Sequence, residues 1–443
     1  MLTLFLALFL QLPINFNPDG VEQRLRSHVE YLTADTLQGR APGSEGEKLA
    51  AEYLYDRLDE YGVTLLSPRE GEDFFINDTI NGKFTKIHSR NVIGIVEGYD
   101  SKLKNEFIVV GAHFDNVGTS HITINGEPVP QLFPGADGNA SGVALLLELA
   151  RQVEAQKFLF RRSVVFAFFG AGEESCAGSW YFLNRSFGQR ESIVLMVNLS
   201  SVGRSGGENK FQIFTGLHNL LLNAIANDVG KRAASLVPVP SHTDYYPSDH
   251  RTFNAANIPI TLFTTGYGRD YHTVNDTKER LDYSQMMGIC EYVMAYVQTI
   301  GEREERIAND MASANSAQEA QAKDGERIYS QWEVDRPAQF LHGGEMQFLQ
   351  RWVYKYIKYP ESALRDGIHG RVIVEFVVGK DGSVGNVKIT KGLCEEIDNE
   401  VIKVISASPK WKAALHNKKS VRVKISVPVD FKVEHRARFG IKK

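Results

Sequence analysis

Cysteine is scarce in this chain, with three residues among 443, at positions 176, 290 and 394. Three scattered thiols exclude a disulfide framework and a cysteine-rich zinc site, although one pair could still form in an oxidising compartment. Basic residues do not predominate either, because 50 Lys and Arg stand against 54 Asp and Glu, for a formal net charge of -4. That balance gives no electrostatic footprint for nucleic acid, so we expect no nucleic-acid partner.

Long hydrophobic runs are also missing. The most apolar stretch, MLTLFLALFLQLPINF at the start of the sequence, is too short to span a bilayer. It has the length of a signal-peptide core, but no Lys or Arg precedes it and no small-x-small cleavage site follows. We interpret residues 1–20 as an export signal or N-terminal segment, and a buried N-terminal strand or helix is the alternative.

The length of 443 residues exceeds that of a usual single domain, so two domains are expected. Between residues 21 and 302 apolar strands alternate with helical patterns. The predicted strands lie in the segments NVIGIVEG, EFIVVGAHFD, SVVFAFFGAG, IVLMVNLSS and IPITLFTTG. This alternation predicts an α/β fold, in which a mostly parallel or mixed sheet is sandwiched by helices.

The amino-acid composition and the hydrophobic pattern change after this first domain. Residues 303–335 carry few large apolar side chains and read as a linker. Residues 336–434 contain an amphipathic helix, an alternating strand, a Lys-Asp-Gly turn, a second strand, a short helix and a final strand. This order predicts a small α+β C-terminal domain.

Candidate metal ligands follow several predicted strands, where ligands of such sheets bind. Imidazole and carboxylate groups suit zinc, and a carboxylate can bridge two ions. Any one of these residues alone is weak evidence for a metal site. Their order along the chain and their positions after predicted strands together make coincidence unlikely. The candidates are His113 and Asp115 in GAHFDN, Asp137 in PGADGNASG, Glu173 and Glu174 in GAGEES, and His272 in YGRDYHTVNDT.

These segments resemble the family of zinc-dependent aminopeptidases that also gave rise to glutaminyl cyclases. The resemblance covers about residues 25–300 and includes TLQGRAPGSEGEKLAAEYL, GAHFDNVG, PGADGNASGVALLLELAR, FFGAGEESCAGS, VNLSSVG, SDHRTFNAANIPI and YHTVNDT. It implies two zinc ions in the related enzymes, together with a glutamate that activates a metal-bound water.

The resemblance assigns a role to several positions of this chain. His113 matches the first zinc ligand, and Asp115 matches the catalytic-site acid that orients this imidazole. Asp137 matches the bridging aspartate, and His272 matches the last ligand. Ser200 stands where a later aspartate ligand is usual, so one metal site loses a donor and a charge.

The acids of FFGAGEESCAGS can be assigned in two ways. Without a gap, Glu173 takes the ligand position and Gly172 stands where the general base belongs. With an insertion and a deletion, Glu173 becomes the catalytic base and Glu174 the ligand. Elsewhere in the sequence, Gly138 replaces an acid that usually follows the bridge, and Asp249 in SDHRTF is a further candidate acid.

The gapless assignment keeps three ligands, Asp137, Glu173 and His272, which is what a single zinc ion needs. It removes the general base, which typically contributes about 10²–10⁴-fold to the rate. Three functions remain open: a zinc aminopeptidase with degraded motifs acting on peptide N-termini, an inactive relative that binds peptides or partners, and a glutaminyl cyclase-like acyltransferase.

The second domain resembles the C-terminal domain of TonB-type proteins in YPESALRDGIHGRVIVEFVVGKDGSVGNVKITKG, IKVISASPKW and VRVKISVPVDF. Such a domain offers a sheet edge to which an extended partner strand can add. The resemblance implies a Gram-negative envelope, a periplasmic or envelope-associated location and an envelope protein partner. The alternative is an interaction or dimerisation module without a partner strand.

Overall fold

Two units make up the chain in the computed structural model, residues 1–311 and residues 312–443. The residues that the structure describes are 15–66, 73–80, 83–124, 127–205, 209–216, 219–233, 236–241, 244, 246–307, 327–331, 334–341, 343–365 and 368–431. The predicted export signal lies largely outside them, as does most of the predicted linker, so the predicted domain boundaries stay predictions. None of the helices in the described residues is long and apolar enough to cross a membrane.

The first unit contains the α/β fold that the sequence predicts. Its helices are α1 (Val21–Leu32), α2 (Glu45–Glu60), α3 (Ser141–Ala155), α4 (Ala177–Tyr181), α5 (Leu220–Arg232), α6 (His250–Ala255) and α7 (Tyr283–Gly301). Its strands are β1 (Thr64–Leu65), β2 (Asp73–Ile80), β3 (Lys83–Arg90), β4 (Val92–Val96), β5 (Phe107–His113), β6 (Thr119–Ile124), β7 (Glu127–Leu132), β8 (Ser163–Phe169), β9 (Ile193–Leu199), β10 (Lys210–Phe214), β11 (Val237–Pro240) and β12 (Ile260–Thr264).

The main sheet of this unit has the order β1-β4-β8-β5-β9-β12-β10-β11 within the described residues. Its four central strands, β8, β5, β9 and β12, run parallel to one another, and antiparallel pairs lie toward both edges. The sheet is therefore mixed, as predicted. Because the four central strands share a direction, their carboxyl ends meet at one edge.

Apolar side chains cover both faces of this sheet, since the central strands are buried throughout. On one face, residues such as Val110 pack in a core with α1, α2, α3, α5 and α7. On the other face, residues such as Val109 pack with Phe182 and with Phe253 of α6. Burial on two sides explains why these strands are continuous apolar runs in the sequence.

Two β-hairpins, β2–β3 and β6–β7, form separate two-stranded sheets that we did not predict. The pairing of each hairpin is antiparallel. The sequence does hold a signal for them, because Asn-Gly stands at positions 81–82 and 125–126. Asn-Gly between two strand-like segments is a strong short-range indication of a hairpin.

A buried histidine joins two helices of the first unit. His28 of α1 is 4% exposed. Its Nδ1 lies 2.7 Å from the Tyr53 hydroxyl, and its Nε2 lies 3.1 Å from the Tyr61 hydroxyl. Burial lowers the pKa of His28 to about 4, because the charged imidazolium loses its hydration.

The second unit is the small α+β domain that the sequence predicts. Its helices are α8 (Glu345–Phe348), α9 (Tyr354–Tyr356), α10 (Glu361–Arg365) and α11 (Glu395–Ser406). Its strands are β13 (Ile328–Ser330), β14 (Gly370–Val378), β15 (Val384–Lys391), β16 (Ala414–His416) and β17 (Lys419–Phe431). The sheet order is β13-β17-β14-β15, and β16 pairs with β17.

Strand β15 is an edge of this sheet. Within the described residues it pairs with β14 alone, in an antiparallel register. The turn that joins the two strands is the predicted Lys-Asp-Gly turn, in which Gly382 has φ 82° and Asp381 accepts a hydrogen bond from the Ser383 amide. A core that includes Phe348, Phe376 and Trp411 packs on the inner face.

Candidate functional site

The candidate site lies at the carboxyl ends of the parallel strands. His113 is the last residue of β5, the segment of Gly172 and Glu173 follows β8, and Ser200 directly follows β9. Because neighbouring parallel strands present their ends at one edge, segments far apart in sequence meet there. The structure therefore brings these segments to one edge of the sheet, and the role of each side chain depends on its contacts there.

Asp115 is the central acceptor of the site. Its carboxylate is fully buried. Its Oδ1 accepts a hydrogen bond from the Gly172 amide at 2.6 Å, and its Oδ2 accepts one from the Glu173 amide at 2.9 Å. His113 Nδ1 lies 3.5 Å from Asp115 Oδ1. Asp115 thus holds the loop after β8 beside the imidazole at the end of β5.

The environment of His113 favours the charged imidazolium. Burial alone would lower its pKa, but Asp115, together with Glu173 and Asp249, outweighs burial and raises the pKa of His113 to about 9. The contact with Asp115 fits the orienting role that the sequence assigned to this acid. Its role as a catalytic residue stays a prediction.

Gly172, which stands at the position of the general base in the gapless assignment, packs directly on His113. A Cβ atom at Gly172 would lie 2.4 Å from Cβ and 2.6 Å from Cγ of His113. Real Cβ atoms do not approach other atoms so closely. The present loop conformation therefore has no room for any side chain at this position.

Replacing Gly172 by alanine is expected to lower the free energy of unfolding by about 1–3 kcal/mol, as overpacking of a well-packed site does. Denaturant unfolding of the variant and the parent protein measures the difference. The matched control is Gly188→Ala, because a Cβ there meets no atom within 4 Å. Equal stability of the Gly172→Ala variant and the parent would show that the loop has room to move.

Glu173 and His272 form a direct pair. Glu173 Oε1 lies 2.8 Å from His272 Nε2. Burial disfavours the Glu173 carboxylate, but His272, together with His113 and Arg40, outweighs burial and holds the pKa of Glu173 below its ordinary value. The side chains are 14% and 25% exposed, so the pair is accessible from solvent.

A stack of aromatic rings continues from this pair. The Tyr271 ring lies 3.8 Å from the His272 ring, centroid to centroid, and 4.1 Å from the Tyr267 ring on its other side. Tyr246 meets Tyr267 edge-on at 5.1 Å. The three tyrosines are partly exposed, and their rings form an apolar wall next to His272.

Asp137 makes a different set of contacts from those expected of a bridging ligand. Its Oδ1 accepts hydrogen bonds from Ser141 Oγ and from the Gly203 amide, both at 2.7 Å. Its Oδ2 lies 3.7 Å from Arg204 Nε. Burial and the neighbouring Asp276 raise the pKa of Asp137 to about 7. Both oxygens of the Asp137 carboxylate therefore already interact with donors of the protein itself.

Asp276, which follows His272 in the sequence, supports the loop of Asp137. Its two carboxylate oxygens accept from the Asp137 amide, each at 3.0 Å. Arg204 Nη2 donates to Asp276 Oδ1 at 2.8 Å. Arg204 thus serves two buried acids, and we did not predict its part in the site.

Ser200 and Gly138, two further positions at which the resemblance implies a departure from the related enzymes, are both closed. Ser200 is 1% exposed. A Cβ atom at Gly138 would lie 3.1 Å from Cε2 and 3.3 Å from Cδ2 of Tyr271. The Tyr271 ring therefore covers the direction in which a side chain at Gly138 would point.

Glu174 and Asp249, the alternative candidates for the acids of the site, lie in different segments of the chain. Glu174 is partly buried in the loop after β8. Both Oδ atoms of Asp249 are buried and make no hydrogen bond within the described part of the chain. Burial raises the pKa of Asp249, and its interactions with His113 and Ser179 offset this only in part. Asp249 lies near enough to His113 to interact electrostatically.

The donors that the sequence assigns to zinc do not form one group. Among the described residues, no three His, Cys, Asp or Glu side chains converge closely enough to hold a metal ion. Glu173 and His272 meet each other, His113 meets Asp115, and Asp137 is held by Arg204. A catalytic zinc site needs three protein ligands around one ion, so the residues present do not fit this metal.

Arg40 is a supporting residue that we did not predict from the sequence. Its guanidinium is fully buried and donates to the carbonyl oxygens of Leu32, Phe114, Pro134 and Gly135. It thereby joins the loop after β5 to the loop before Asp137. Nothing in the local sequence distinguishes it, because its acceptors are backbone carbonyls and those of Phe114, Pro134 and Gly135 lie 74 or more residues away.

Glu47 is a second supporting residue. Its carboxylate accepts from the Gly43 amide at 2.6 Å, from Ser89 Oγ at 2.6 Å and from the Ala171 amide at 3.2 Å. Burial raises the pKa of Glu47 to about 8. A signal was present here, since Ser44 and Glu47 have the spacing of a helix capping box, and Ser44 accepts from the Glu47 amide.

Comparison with known proteins gives a class to each unit. Residues 91–297 match the model of peptidase family M28, and residues 355–433 match the model of the Gram-negative bacterial TonB protein C-terminal domain. The structure of BSAP, a zinc aminopeptidase from Bacillus subtilis, has a TM-score of 0.51 at 15% identity and covers 65% of this chain and 97% of that one. The predicted zinc aminopeptidase-like fold and the TonB-type domain are confirmed.

Two curated relatives match the first unit in sequence. A probable leucine aminopeptidase of Trichophyton verrucosum (strain HKI 0517) is 24% identical over 221 residues, which is 48% of this chain and 57% of the relative. Endoplasmic reticulum metallopeptidase 1 of Mus musculus is 28% identical over 280 residues, which is 58% of this chain and 28% of the relative. The chain thus spans about half, or less, of the length of these relatives. Family and relatives suggest zinc, although the donors in this chain do not converge.

Proposed function

We propose that the first unit is a non-hydrolytic relative of the M28 aminopeptidases that binds the amino terminus of peptides. The packing of Gly172 on His113 carries this proposal. It leaves neither a carboxylate nor space for one where the general base would act. A positioned base typically contributes about 10²–10⁴-fold, so its loss leaves little peptidase activity.

The accessible groups of the site suit a ligand with a positive charge. Glu173 is ionised at neutral pH, because its pKa is held below the ordinary value, and it is accessible. A peptide α-ammonium group can donate to its free carboxylate oxygen, and such charge-assisted hydrogen bonds are strong. The stacked rings of Tyr271 and Tyr267, next to His272, offer partly exposed apolar edges to the first side chain.

The TonB-type match of the second unit supports an envelope role for the whole chain. Strand β15 has a free edge within the described residues, and such an edge can accept an extended partner strand. We therefore propose that the chain works in the periplasm or at the envelope of a Gram-negative cell. In this view the first unit binds a peptide while the second binds an envelope protein.

Peptide binding and peptide hydrolysis are tested separately. Zinc-supplemented protein is incubated with a mixed panel of aminoacyl amides, with Asp137→Ala as the control, and we expect equal rates. Fluorescence anisotropy then compares labelled tetrapeptide mixtures with free and with acetylated amino termini. We expect binding of the free form only, since acetylation removes the ammonium charge.

Glu173→Gln is expected to weaken binding of the free peptides by about tenfold or more, because a hydrogen bond to a charged group contributes about 1.5–3 kcal/mol. The matched control is Glu154→Gln, a remote acid with a similar exposure of 18% that pairs with Lys157. Glu174→Gln tests the shifted assignment of the two acids. Hydrolysis that disappears in Asp137→Ala, or equal binding of acetylated peptides, would refute the proposal.

A further inference from the structure

An open cavity of the first unit, separate from the Glu173–His272 pair, is rich in arginine. Its volume is about 730 Å³, which is within the range of small-molecule sites in proteins. The fold brings its cationic groups together from α1, from the segment after β9, from the loop after β12 and from the segment before α7. We call it the arginine cavity, after four residues of its lining: Arg26, Arg204, Arg269 and Arg280.

The acids of the arginine cavity are already engaged within the protein. Three of them line it: Glu22, Asp270 and Asp282. Arg26 Nη2 lies 3.2 Å from Glu22 Oε1, and Arg280 Nη1 donates to Asp270 Oδ2 at 3.0 Å. The Asp282 carboxylate caps α7, where it accepts from the Gln285 amide at 3.0 Å. Four guanidinium groups thus stand against three carboxylates, and the lining carries a net positive charge.

Three of the guanidinium groups keep N–H donors for a ligand. Arg280 uses Nη1 for Asp270, and its Nε and Nη2 make no hydrogen bond within the described residues. Arg26 uses Nη2, and its guanidinium lies over the Tyr283 ring, 4.0 Å from the centroid. Arg269 is exposed and makes no ion pair in the part of the chain that the structure describes. A guanidinium has five N–H donors, so internal ion pairs leave most of these donors unused.

Arg204 has a different part from the other three. Its Nη2 donates to Asp276 at 2.8 Å, its Nη1 donates to the Arg280 carbonyl oxygen at 3.2 Å, and its Nε lies 3.7 Å from Asp137 Oδ2. Its guanidinium is therefore engaged with acids of the candidate site. A ligand of the cavity would be held by Arg26, Arg269 and Arg280 instead.

We propose that the arginine cavity binds a small molecule that carries at least two oxyanion groups, carboxylate or phosphate. Guanidinium groups recognise both through paired N–H donors in one plane. Three guanidinium groups with unused donors, around a cavity of about 730 Å³, suit more than one anionic group, because a single small anion fills only part of that volume. This proposal goes beyond peptide binding at Glu173 and does not depend on it.

The first experiment is calorimetric titration of the full-length chain with pyrophosphate and, separately, with citrate. We expect one saturable site per chain for at least one of these probes, and an affinity that falls as sodium chloride is added. Inorganic phosphate and acetate, with one oxyanion group each, are expected to bind more weakly. Binding of pyrophosphate alone would support a phosphate ligand, and binding of citrate alone would support a carboxylate ligand.

The second experiment removes the donors one at a time. Arg280→Gln and Arg269→Gln are each expected to weaken binding of the probe by about tenfold or more, because hydrogen bonds between charged groups are the strong ones. Arg185→Gln is the matched control, since Arg185 is an exposed arginine over the Trp180 ring and does not line the cavity. If Arg280→Gln does not fold, the exposed Arg269 still provides the test.

Absence of saturable binding for both probes would overturn the proposal, as would equal weakening by Arg185→Gln and by the two cavity variants. Inorganic phosphate that binds as tightly as pyrophosphate would overturn the requirement for two anionic groups. The cavity variants leave Glu173 and His272 unchanged, and the peptide assays use no pyrophosphate or citrate. A failure of the anion titrations is therefore distinguishable from a failure of the proposed peptide binding.

Discussion

Replacing Asp115 by alanine is expected to lower the free energy of unfolding of the first unit by about 3–5 kcal/mol, as the breaking of a buried charged contact does. The carboxylate is fully buried and accepts from the amides of Gly172 and Glu173 while it faces His113. Its removal leaves two partly buried amides without their acceptor and takes the negative charge away from the His113 imidazole.

Chemical denaturation followed by circular dichroism measures this loss, with the two units fitted as separate transitions. Asp115→Asn keeps one acceptor oxygen and should lose less. Asp59→Ala, at an exposed position of α2, is the control and should change stability by no more than about 0.5 kcal/mol. A loss in Asp115→Ala as small as that of the control would show that the loop is held by other contacts.

Acidification is expected to destabilise the first unit through His28, by about 3 kcal/mol between pH 6.5 and pH 4. The unfolded chain takes up a proton at His28 below about pH 6.5, whereas the folded chain does so only near pH 4. The unfolded state therefore binds more protons in this window, and stability falls as the pH falls. Above the window the imidazole is neutral in both states and the effect is absent.

The measurement is the free energy of unfolding against pH for the parent and for His28→Gln. Glutamine stays neutral at every pH and can still bond to the hydroxyls of Tyr53 and Tyr61. The difference between the two curves isolates His28 from the carboxylates that titrate in the same range. Parallel curves from pH 7 to pH 4 would contradict the prediction.

Much of the fold could be predicted because buried segments have a recognisable pattern of apolar residues in the sequence. The central strands are apolar throughout, since helices cover both faces of the sheet, and α1, α2, α3 and α7 show helical spacing of apolar residues. The edge that carries the site also follows from the sequence, because parallel strands end together. The TonB-type domain was recognisable for a similar reason, its strands alternating around a tight turn.

The contacts within the site could not be predicted in the same way. The direction of Asp137 is decided by Gly203 and Arg204, which lie more than 60 residues further along the chain. The closure at Gly172 depends on how closely the loop after β8 approaches His113. Motif spacing assigns a residue type to a position, but side-chain partners from other segments decide what that residue can do.

The parallel order of β8, β5, β9 and β12 has a consequence for how the chain folds. Glu173 meets His272 across 99 residues, and β12, which precedes the segment of His272, pairs with β9 in parallel. Contacts of such sequence separation form late and slowly, because a long loop must close first. Synthesis must therefore pass residue 272 before Glu173 and His272 can meet, so ligand binding at this pair would report that β12 and the segment after it are in place.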